Sequence, residues 1–442
     1  MRRNADVRDK GRRRPTAAGP APDIELTVTA IGARGDGLAE TPEGRVFVPL
    51  TVPGDRVRVR LGPVSGEGRR GEALSWLERG AGRVEPACRH FGRCGGCTLQ
   101  HLEQSAYLSW KREQVASALA RAGLGEDQLS MAVAATPPGG RRRASFSVCR
   151  RGGVVLAGFS ERLSHRLVDV GECPVLAPGL VALLPALRRH LAGVLPDGGS
   201  AEAVATWLDG GLDLLLIGPP RLDLPARLAL ADFAEAADLG RLSWQPDVKT
   251  PAEPVAARRP LRVWFGGIGV EPPPGGFLQA SREGEAALAG AVLTTLGAGA
   301  GRVADLFAGC GTFSLPLAKA GWRVLAVDGN GAALMALARA AHGLPGLSTE
   351  TRDLGQRPLE PRELAGVAAV VFDPPRAGAG PQAAALAASS VPAVVAVSCN
   401  PATFARDARL LAGGGYRLAS ALTVDQFLWS AHVELVALFR RD

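Results

Sequence analysis

The sequence predicts a multidomain α/β protein whose carboxyl-terminal part is a Rossmann-like domain. Three observations support this prediction. A chain of 442 residues is long enough for about two to four domains with separate cores. Residues 23–82 contain short alternating strands punctuated by glycines, a pattern typical of a small β-barrel. Residues 286–442 alternate apolar strands with helical segments, which indicates βαβ units around a parallel sheet.

Composition and charge limit the class of protein. Hydrophobic residues make up 46% of the chain and charged residues 21%, which is ordinary for a globular protein. The net charge of +8 comes from an excess of arginine and favours a polyanionic partner. No apolar stretch follows the basic N-terminus, and no uninterrupted apolar run is long enough to span a membrane. We expect a soluble cytoplasmic protein that acts as a monomer and away from membranes. Seven cysteines without a secretion signal favour metal binding or catalysis over disulfides.

The amino-terminal part of the chain is basic. Residues 1–22 hold seven Arg or Lys against two Asp and are predicted to form a disordered tail. In the barrel predicted over 23–82, a strand at 55–60 places Arg56, Arg58 and Arg60 on one face, because side chains alternate along a strand. Such a face suits a nucleic-acid backbone. The alternative is an ordinary solvated face.

A central domain is predicted over residues 83–270, and it carries a cysteine motif. Cys88, Cys94 and Cys97 have the spacing C-x5-C-x2-C, with two glycines that let the backbone fold tightly around a metal centre. A fourth thiolate would complete a zinc or an iron–sulfur site. Cys173 and Cys149 both qualify by spacing. Cys173 precedes a proline in a polar turn, whereas Cys149 lies in a predicted strand, where a packed core residue is more typical. The alternative is a set of unrelated structural thiols.

Other segments of the central domain have weaker patterns. Residues 107–122 have the apolar periodicity of a helix, which we expect to pack on the carboxyl-terminal domain. The three arginines at 141–143 fit either a phosphate contact or a solvated charge cluster. Residues 175–262 are expected to alternate apolar helices with Pro/Gly breaks, apart from a strand pair at 207–217.

A glycine loop joins the first strand and helix of the Rossmann-like domain, which we place at residues 271–442. The strand at 302–307 is followed by Ala-Gly-Cys-Gly-Thr at 308–312, and the next strand ends in Asp328. Glycines at this point let a ligand approach the backbone, and the acid can accept hydrogen bonds from a ribose. The third glycine of the nicotinamide fingerprint is absent, and the leading Asp305 is typical of S-adenosylmethionine enzymes.

Candidate catalytic residues follow later strands of the same sheet. Asp373 begins Asp-Pro-Pro-Arg, a motif common among nucleic-acid methyltransferases. An apolar strand over 391–397 leads into Ser-Cys-Asn-Pro at 398–401. A tight loop therefore presents the thiol of Cys399 at the carboxyl edge of the sheet, where α/β proteins bind ligands. Glu434 lies in a strongly apolar strand, which disfavours an exposed position. The alternatives are a packed core cysteine and a surface carboxylate.

Together these motifs resemble the RNA uridine carbon-5 methyltransferase family, and the resemblance covers almost the whole chain. Residues 32–37 and 44–49 are similar to its TRAM domain, an OB-like RNA-binding barrel. In the rRNA-modifying branch four cysteines hold a 4Fe-4S cluster, and their spacing matches Cys88, Cys94, Cys97 and Cys173. By this resemblance Cys173, rather than Cys149, is the fourth ligand.

The resemblance also implies roles for individual residues. Cys399 matches the nucleophile that attacks carbon 6 of uracil, and Glu434 matches the base that removes the carbon-5 proton. Contacts to S-adenosylmethionine are implied for Gln279, Phe307, Thr312, Asp328, Asp353 and Asp373. The chain departs from the family pattern at Thr312 and Ser281, where asparagine is frequent, and at Asp328, where glutamate is usual.

The implied activity is S-adenosylmethionine-dependent methylation of carbon 5 of a uridine in a single-stranded RNA loop. The cysteine motif favours 23S rRNA as the substrate, since the tRNA-modifying branch generally lacks it. Three alternatives stay open: a tRNA uridine methyltransferase, a catalytically inactive RNA-binding protein on the same fold, and a DNA cytosine methyltransferase. The last normally carries its cysteine in a Pro-Cys context, and the TRAM-like barrel favours RNA.

Overall fold

The computed structural model describes residues 23–125, 127–130, 133–134, 136–218 and 222–441. Within these ranges the chain forms two compact units, one of residues 23–32 and 36–83 and the other of residues 33–35 and 84–441. The basic tail predicted over 1–22 lies outside the described residues. The prediction of a multidomain α/β protein is confirmed.

The first unit is a six-stranded sheet in which all neighbours but one are antiparallel. In spatial order β1-β5-β6-β4-β3-β2, its strands are β1 (Asp23–Thr27), β2 (Ala30–Ile31), β3 (Gly37–Thr41), β4 (Gly44–Val48), β5 (Arg56–Ser65) and β6 (Gly68–Glu78). β4 and β6 are the parallel pair. Alternation along β5 buries Val57 and Val59 in the core of this unit, because successive side chains point to opposite faces.

The opposite face of β5 carries the three predicted arginines, and each of them is paired with an acid. Glu25 on β1 accepts hydrogen bonds from Arg56 at 3.1 Å and from Arg58 at 3.3 Å. Asp23 lies 3.5 Å from Arg60. These pairs are exposed to solvent, so each is weak. The arginine face is present, and carboxylates of the neighbouring strand already neutralise part of its charge.

The second unit contains a seven-stranded sheet in the order β10-β9-β8-β11-β12-β13-β14. The first elements of the unit are α1 (Gln104–Arg121), β7 (Val133–Ala134), β8 (Arg143–Arg151), β9 (Val154–Ser160), β10 (Leu167–Asp169), α2 (Pro178–Leu191), β11 (Ser200–Leu208), β12 (Gly211–Ile217), α3 (Leu224–Ala236), β13 (Leu239–Gln245) and β14 (Glu253–Ala257). The expected strand pair is β11 and β12. The expectation of helices elsewhere in 175–262 is wrong for β13 and β14, because short apolar runs do not distinguish strand from helix.

The same unit also holds an eight-stranded sheet in the order β19-β18-β17-β20-β21-β23-β22-β7. A short hairpin precedes it, and the elements are β15 (Val263–Phe265), β16 (Ile268–Val270), α4 (Arg282–Leu296), β17 (Arg302–Leu306), α5 (Ser314–Lys319), β18 (Arg323–Asp328), α6 (Gly331–Ala340), β19 (Leu347–Thr351), β20 (Val367–Phe372), α7 (Gly380–Ala387), β21 (Ala393–Ser398), α8 (Pro401–Gly413), β22 (Arg417–Asp425) and β23 (Glu434–Arg440).

The topology of this sheet determines where a ligand can bind. Strands β17 to β21 run parallel to one another, whereas β23 is antiparallel to both β21 and β22. The strand order reverses between β17 and β20, which opens a crevice at the carboxyl edge. Among the described residues, none of the helices combines the length and the apolar character that a bilayer crossing needs.

Candidate active site

Cys399 is held between a buried strand and a capped helix. All six residues of β21 are buried, and Cys399 follows the last of them. Asn400 caps α8 by accepting a hydrogen bond from the backbone N–H of Ala402 at 3.1 Å, and Pro401 is the first residue of the helix. The Asn400 amide also donates to the backbone oxygen of Arg376 at 3.0 Å. The loop that carries the thiol is therefore fixed to the loop that follows β20.

Glu434 lies beside this loop because β23 pairs with β21. The antiparallel register joins Ser398 to Leu435. Cys399, which follows Ser398, and Glu434, which precedes Leu435, therefore lie at the same edge of the sheet. Glu434 is 2% exposed, and its Oε2 accepts a hydrogen bond from Nε2 of Gln426 at 2.6 Å. A buried carboxyl group and a half-buried thiol are thus placed together by strand register.

The surroundings disfavour the charged forms of the Cys399 thiol and the Glu434 carboxyl group. Burial raises the pKa of Cys399 to about 11, and the nearby carboxyls of Glu434 and Asp373 add to the effect. The guanidinium of Arg376 acts in the opposite direction and lowers the pKa of the thiol. Burial and the charge of Asp373 raise the pKa of Glu434 well above its ordinary value, whereas Gln426 and Lys111 lower it. The free site therefore resists forming a thiolate and a carboxylate side by side.

The predicted cofactor residues collect along the carboxyl edge of the same sheet. Phe307 follows β17, Asp328 ends β18, Asp353 follows β19 and Asp373 follows β20. Asp328 accepts hydrogen bonds from the backbone N–H of Gly309 at 2.8 Å and of Asn330 at 2.6 Å. Its carboxylate consequently connects the glycine loop to the start of α6.

The glycine loop leaves room for a ligand. Phe307 has a φ of 61°, a left-handed conformation that costs free energy for a side chain of this size. A Cβ at Gly309 would meet no atom within 4 Å, whereas a Cβ at Gly311 would lie 2.5 Å from Leu337. The space in front of Gly309 is thus open on the ligand side, and Gly311 is needed for packing against α6. Thr312 follows directly and is partly buried. An S-adenosylmethionine molecule fits this combination of an open glycine loop and a strand-end acid.

Gln279 connects the cofactor side to the acids of the crevice. It is 4% exposed, and its Nε2 donates to Oδ2 of Asp373 at 2.8 Å. Burial raises the pKa of Asp373 to about 6. Phe277, two residues earlier, is 66% exposed. Asp353 is also exposed, and its Oδ1 accepts from the backbone N–H of Gly355 at 2.9 Å.

The four predicted metal ligands and Cys399 line one cavity of about 970 Å³, together with Arg34, Arg121, Arg141, Arg162 and Arg376. In the part of the chain that the structure describes, no three Cys, His, Asp or Glu side chains come close enough together to hold a metal ion. Cys88, Cys94, Cys97 and Cys173 nevertheless lie near enough to affect one another. Burial raises the pKa of Cys97 to about 12, and the other three thiols contribute. Cys149 on β8 does not line this cavity, and Cys310 is buried elsewhere in the glycine loop. Four thiols that face one space are a donor set that fits zinc or iron–sulfur.

Both sequence interpretations of the run at 141–143 are wrong for Arg142. Its side chain is 3% exposed and forms an ion pair with Glu285 on α4. It also donates from Nε to the backbone oxygen of Gln279 at 3.1 Å. Arg142 is therefore neither solvated nor placed for a phosphate, because it supports the segment that carries Gln279. Burial of this kind depends on tertiary packing, which a run of like charges does not reveal.

Sequence reasoning also missed a set of buried polar residues behind the site. Lys111 and Asp425 form an ion pair, Tyr107 donates to Asp425, and Gln426 donates to Glu434. One signal was available, because Asp425 and Gln426 are two polar residues in succession at the end of the apolar strand β22. No local pattern marked Lys111 or Tyr107, which lie on a helix far upstream.

Comparison with known proteins identifies relatives over almost the whole chain. The family model described as tRNA (uracil-5-)-methyltransferase matches residues 363–442. An uncharacterised RNA methyltransferase of Brucella suis is 44% identical over 420 residues, which cover 94% of this chain and 98% of that protein. The 23S rRNA (uracil(1939)-C(5))-methyltransferase RlmD of Halomonas elongata is 35% identical over 455 residues, covering 97% of this chain and 92% of that protein.

A solved structure shows the same fold. The tRNA (uracil-54, C5)-methyltransferase of Pyrococcus abyssi, in complex with S-adenosyl-L-homocysteine, superimposes with a TM-score of 0.71 at 23% identity. The match covers 94% of this chain and 99% of that one.

The fold and the site define a class, the S-adenosylmethionine-dependent transferases that place a cysteine at the carboxyl edge of a Rossmann-like sheet. Within that class, the chain belongs to the RNA (uracil-5-)-methyltransferase family. The family resemblance inferred from the sequence motifs is confirmed.

Proposed function

We propose that the protein methylates carbon 5 of a uridine in 23S rRNA, with Cys399 as the nucleophile and Glu434 as the base. The observation that carries this proposal is the β21–β23 register, which brings the thiol and the carboxyl group to one edge of the sheet. Membership of the family supports the reaction, and RlmD as a relative supports rRNA as the substrate. Of the predicted residues, Gln279, Phe307, Thr312, Asp328, Asp353 and Asp373 are proposed to contact S-adenosylmethionine.

The reaction begins with addition of the Cys399 thiolate to carbon 6 of the uracil. The new C6–S bond displaces the electrons of the C5=C6 double bond toward oxygen 4, so that carbon 5 becomes electron-rich. S-adenosylmethionine, when bound, supplies the methyl group that carbon 5 accepts. Arg376 supports the first step, because its positive charge lowers the pKa of the thiol that has to ionise.

The reaction ends with loss of the carbon-5 proton. Glu434 takes the proton, the C5–H electron pair restores the C5=C6 double bond, and the C6–S bond breaks with its electrons returning to Cys399. A base in this position typically contributes about 10²–10⁴-fold to the rate. Because Glu434 is buried beside the thiol, the carboxyl group that receives the proton is shielded from bulk water.

The cavity around Cys399 suits an unstacked segment of RNA. Five arginines line it, which favours phosphate groups, and its volume of about 970 Å³ leaves space beside a single base. A base inside a duplex could not reach a thiol that lines such a cavity, so we propose a single-stranded loop as the target. The first unit is proposed to act as a TRAM-like RNA-binding barrel.

We also propose that Cys88, Cys94, Cys97 and Cys173 hold a 4Fe-4S cluster. The support is the shared cavity that their thiols face, together with the spacing of the motif. Such a cluster would cross-link the loop at 88–97 to the turn after β10, and its binding would contribute to folding. Arg141, which is partly buried and whose positive charge acts on the thiols of Cys97 and Cys173, would offset part of the negative charge of the thiolates.

The test is methylation of defined RNAs. Purified protein is incubated with methyl-labelled S-adenosylmethionine and either 23S rRNA or a tRNA pool, and 5-methyluridine is mapped by mass spectrometry. We expect label at a single uridine of 23S rRNA. Label in tRNA alone would favour the second candidate, a tRNA methyltransferase. An unlabelled product with both RNAs, despite binding of S-adenosylmethionine, would indicate an inactive RNA-binding protein.

A further inference from the structure

Gln426 lies between the two buried acids of the site. Its Nε2 donates to Oε1 of Gln279 at 2.8 Å and to Oε2 of Glu434 at 2.6 Å. Gln279 in turn donates from Nε2 to Oδ2 of Asp373 at 2.8 Å. An unbroken line of hydrogen bonds therefore runs from Asp373, through two amides, to Glu434. Both amide side chains are at most 4% exposed, so water does not compete for these contacts.

The orientation of the Gln426 amide is fixed by its neighbours. Its Oε1 accepts a hydrogen bond from the backbone N–H of Ala280 at 3.2 Å, which leaves the two N–H groups of Nε2 for the two acceptors. Gly284 permits this approach, because a Cβ there would lie only 2.6 Å from the Cβ of Gln426. Thr136 supports the backbone and donates to the carbonyl oxygen of Gln426 at 3.0 Å. The side chain is thus held at both ends.

A neutral amide suits this position because two acids, Asp373 and Glu434, are buried near each other. The charge of Asp373 raises the pKa of Glu434. A cationic side chain between the acids would hold both in the charged form and weaken a base. A neutral amide donates a hydrogen bond to Oε2 of Glu434 without fixing its charge. The other oxygen, Oε1, is then the one through which the carboxylate takes a proton.

We propose that Gln426 is the positioning residue for proton removal. It holds Glu434 in the orientation that reaches carbon 5 and links that carboxyl group through Gln279 to the cofactor side of the crevice. The proposal rests on the function proposed above for Glu434. Gln426 touches neither of the reacting atoms, so its effect on proton removal passes through Glu434. Its loss should therefore affect the last step of the reaction and leave the earlier steps intact.

The experiment separates methyl transfer from proton removal in one turnover. Full-length Gln426→Met is mixed with substrate RNA that carries tritium at carbon 5 of uridine and with carbon-labelled S-adenosylmethionine. Methionine keeps the length and volume of the side chain and removes both donors. We expect methyl transfer within about twofold of the unaltered protein and tritium release slowed about tenfold or more, as for loss of a buried hydrogen bond to a charged group. A methylated protein–RNA adduct should accumulate for the same reason.

A second variant and a matched control distinguish the loss of the hydrogen bond from a general loss of packing. Gln426→Glu keeps the shape of the side chain but can donate only when protonated, so tritium release should fall further as the pH rises. Thr136→Val removes the hydrogen bond to the Gln426 backbone without touching the amide line. It should slow methyl transfer and tritium release by the same factor, if it slows them at all.

The outcomes distinguish this proposal from the function on which it rests. If Glu434→Gln fails to trap an adduct, the base assignment itself is wrong. If Glu434→Gln traps the adduct but Gln426→Met releases tritium in step with methyl transfer, the base stands and the positioning role is overturned. Equal slowing of both events in Gln426→Met and Gln426→Glu would give Gln426 a structural role only and would also overturn the proposal.

Discussion

Lys111 and Asp425 form an ion pair that is buried on both sides, with 3.0 Å between Nζ and Oδ1 and side-chain exposures of 0% and 1%. Tyr107, one turn earlier on α1, donates to the other carboxylate oxygen at 2.7 Å. Lys111 also donates to the backbone oxygens of Phe427 and His432. A helix from the start of the second unit therefore fixes the segment that leads into Glu434.

Removing one member of this pair should destabilise the second unit strongly. Lys111→Met leaves the buried carboxylate of Asp425 without its cation, and we expect a loss of about 3–5 kcal/mol. Urea unfolding followed by circular dichroism measures the effect. Arg362→Met is the control, because its pair with Glu360 at 3.0 Å is exposed and should contribute about 0–1 kcal/mol. A loss in Lys111→Met no larger than in the control would contradict the structural importance of the buried pair.

Substitutions of the two proposed catalytic residues, Cys399 and Glu434, should block different steps of the reaction. Cys399→Ala cannot form the bond to carbon 6, so neither product nor adduct should appear. Glu434→Gln permits attack and methyl transfer but not elimination, so a methylated protein–RNA adduct should survive a denaturing gel. Methyl label from S-adenosylmethionine in the shifted band is the measurement. An adduct in Cys399→Ala, or ordinary turnover in Glu434→Gln, would show that another residue carries the step.

Ionisation of Cys399 should depend on Arg376. The pKa of the thiol is raised to about 11 by burial and the neighbouring acids, and Arg376 opposes that rise. Below this pKa the thiolate fraction grows about tenfold for each pH unit, so the rate of iodoacetamide alkylation at Cys399 should increase with pH. Arg376→Met should shift this increase to higher pH. Mass spectrometry of the Cys399 peptide gives the rate, and an unchanged profile in Arg376→Met would exclude an electrostatic role for the guanidinium.

Asp305 should reduce stability as the pH rises. Burial raises its pKa to about 7, against 3.8 ordinarily, so the folded protein holds this proton more tightly than the unfolded chain. The unfolded chain releases the proton first, and stability is lost between about pH 4 and 7. Asp305→Asn removes this loss and keeps an acceptor for Ser314. The difference in unfolding free energy between the variant and the parent should be smallest near pH 4 and should favour the variant at pH 7. A constant difference across this range would contradict the raised pKa.

The cysteine motif should bind iron and sulfide. Anaerobically purified protein should be brown and contain iron and sulfide in near-equal amounts. Cys173→Ser should lose the colour and destabilise the second unit, because metal binding of this kind contributes to folding. Cys149→Ser, on β8 outside the cavity, is the matched control and should keep both the colour and the stability of the second unit. Stoichiometric zinc without sulfide would contradict the iron–sulfur cluster while leaving the four ligands in place.

The sequence predicted those parts of the site that depend on local order along the chain. Cys399 follows an apolar strand and precedes a proline, and this pattern alone places it at the edge of a sheet. The same kind of pattern, an acid at the end of an apolar strand, predicted the positions of Asp328 and Asp373. Tyr107 and Asp425 are 318 positions apart, and their contact depends on α1 packing against β22, which no periodicity encodes. The burial of Arg142 likewise results from the approach of α4. Local patterns thus predicted the candidate site residues at the carboxyl edge of the sheet. The buried contacts that hold those residues in place depend on tertiary structure and could not be predicted.

The position of β23 has a consequence for synthesis of the protein. This strand follows β22 in the chain but lies between β21 and β22 in the sheet, and it carries Glu434. In a nascent chain that stops before this strand, β21 and β22 each lack the neighbour that β23 provides in the finished sheet, and the thiol of Cys399 lacks its base. Edges of this kind invite pairing with other chains. A truncated translation product is therefore a target for chaperones and proteases.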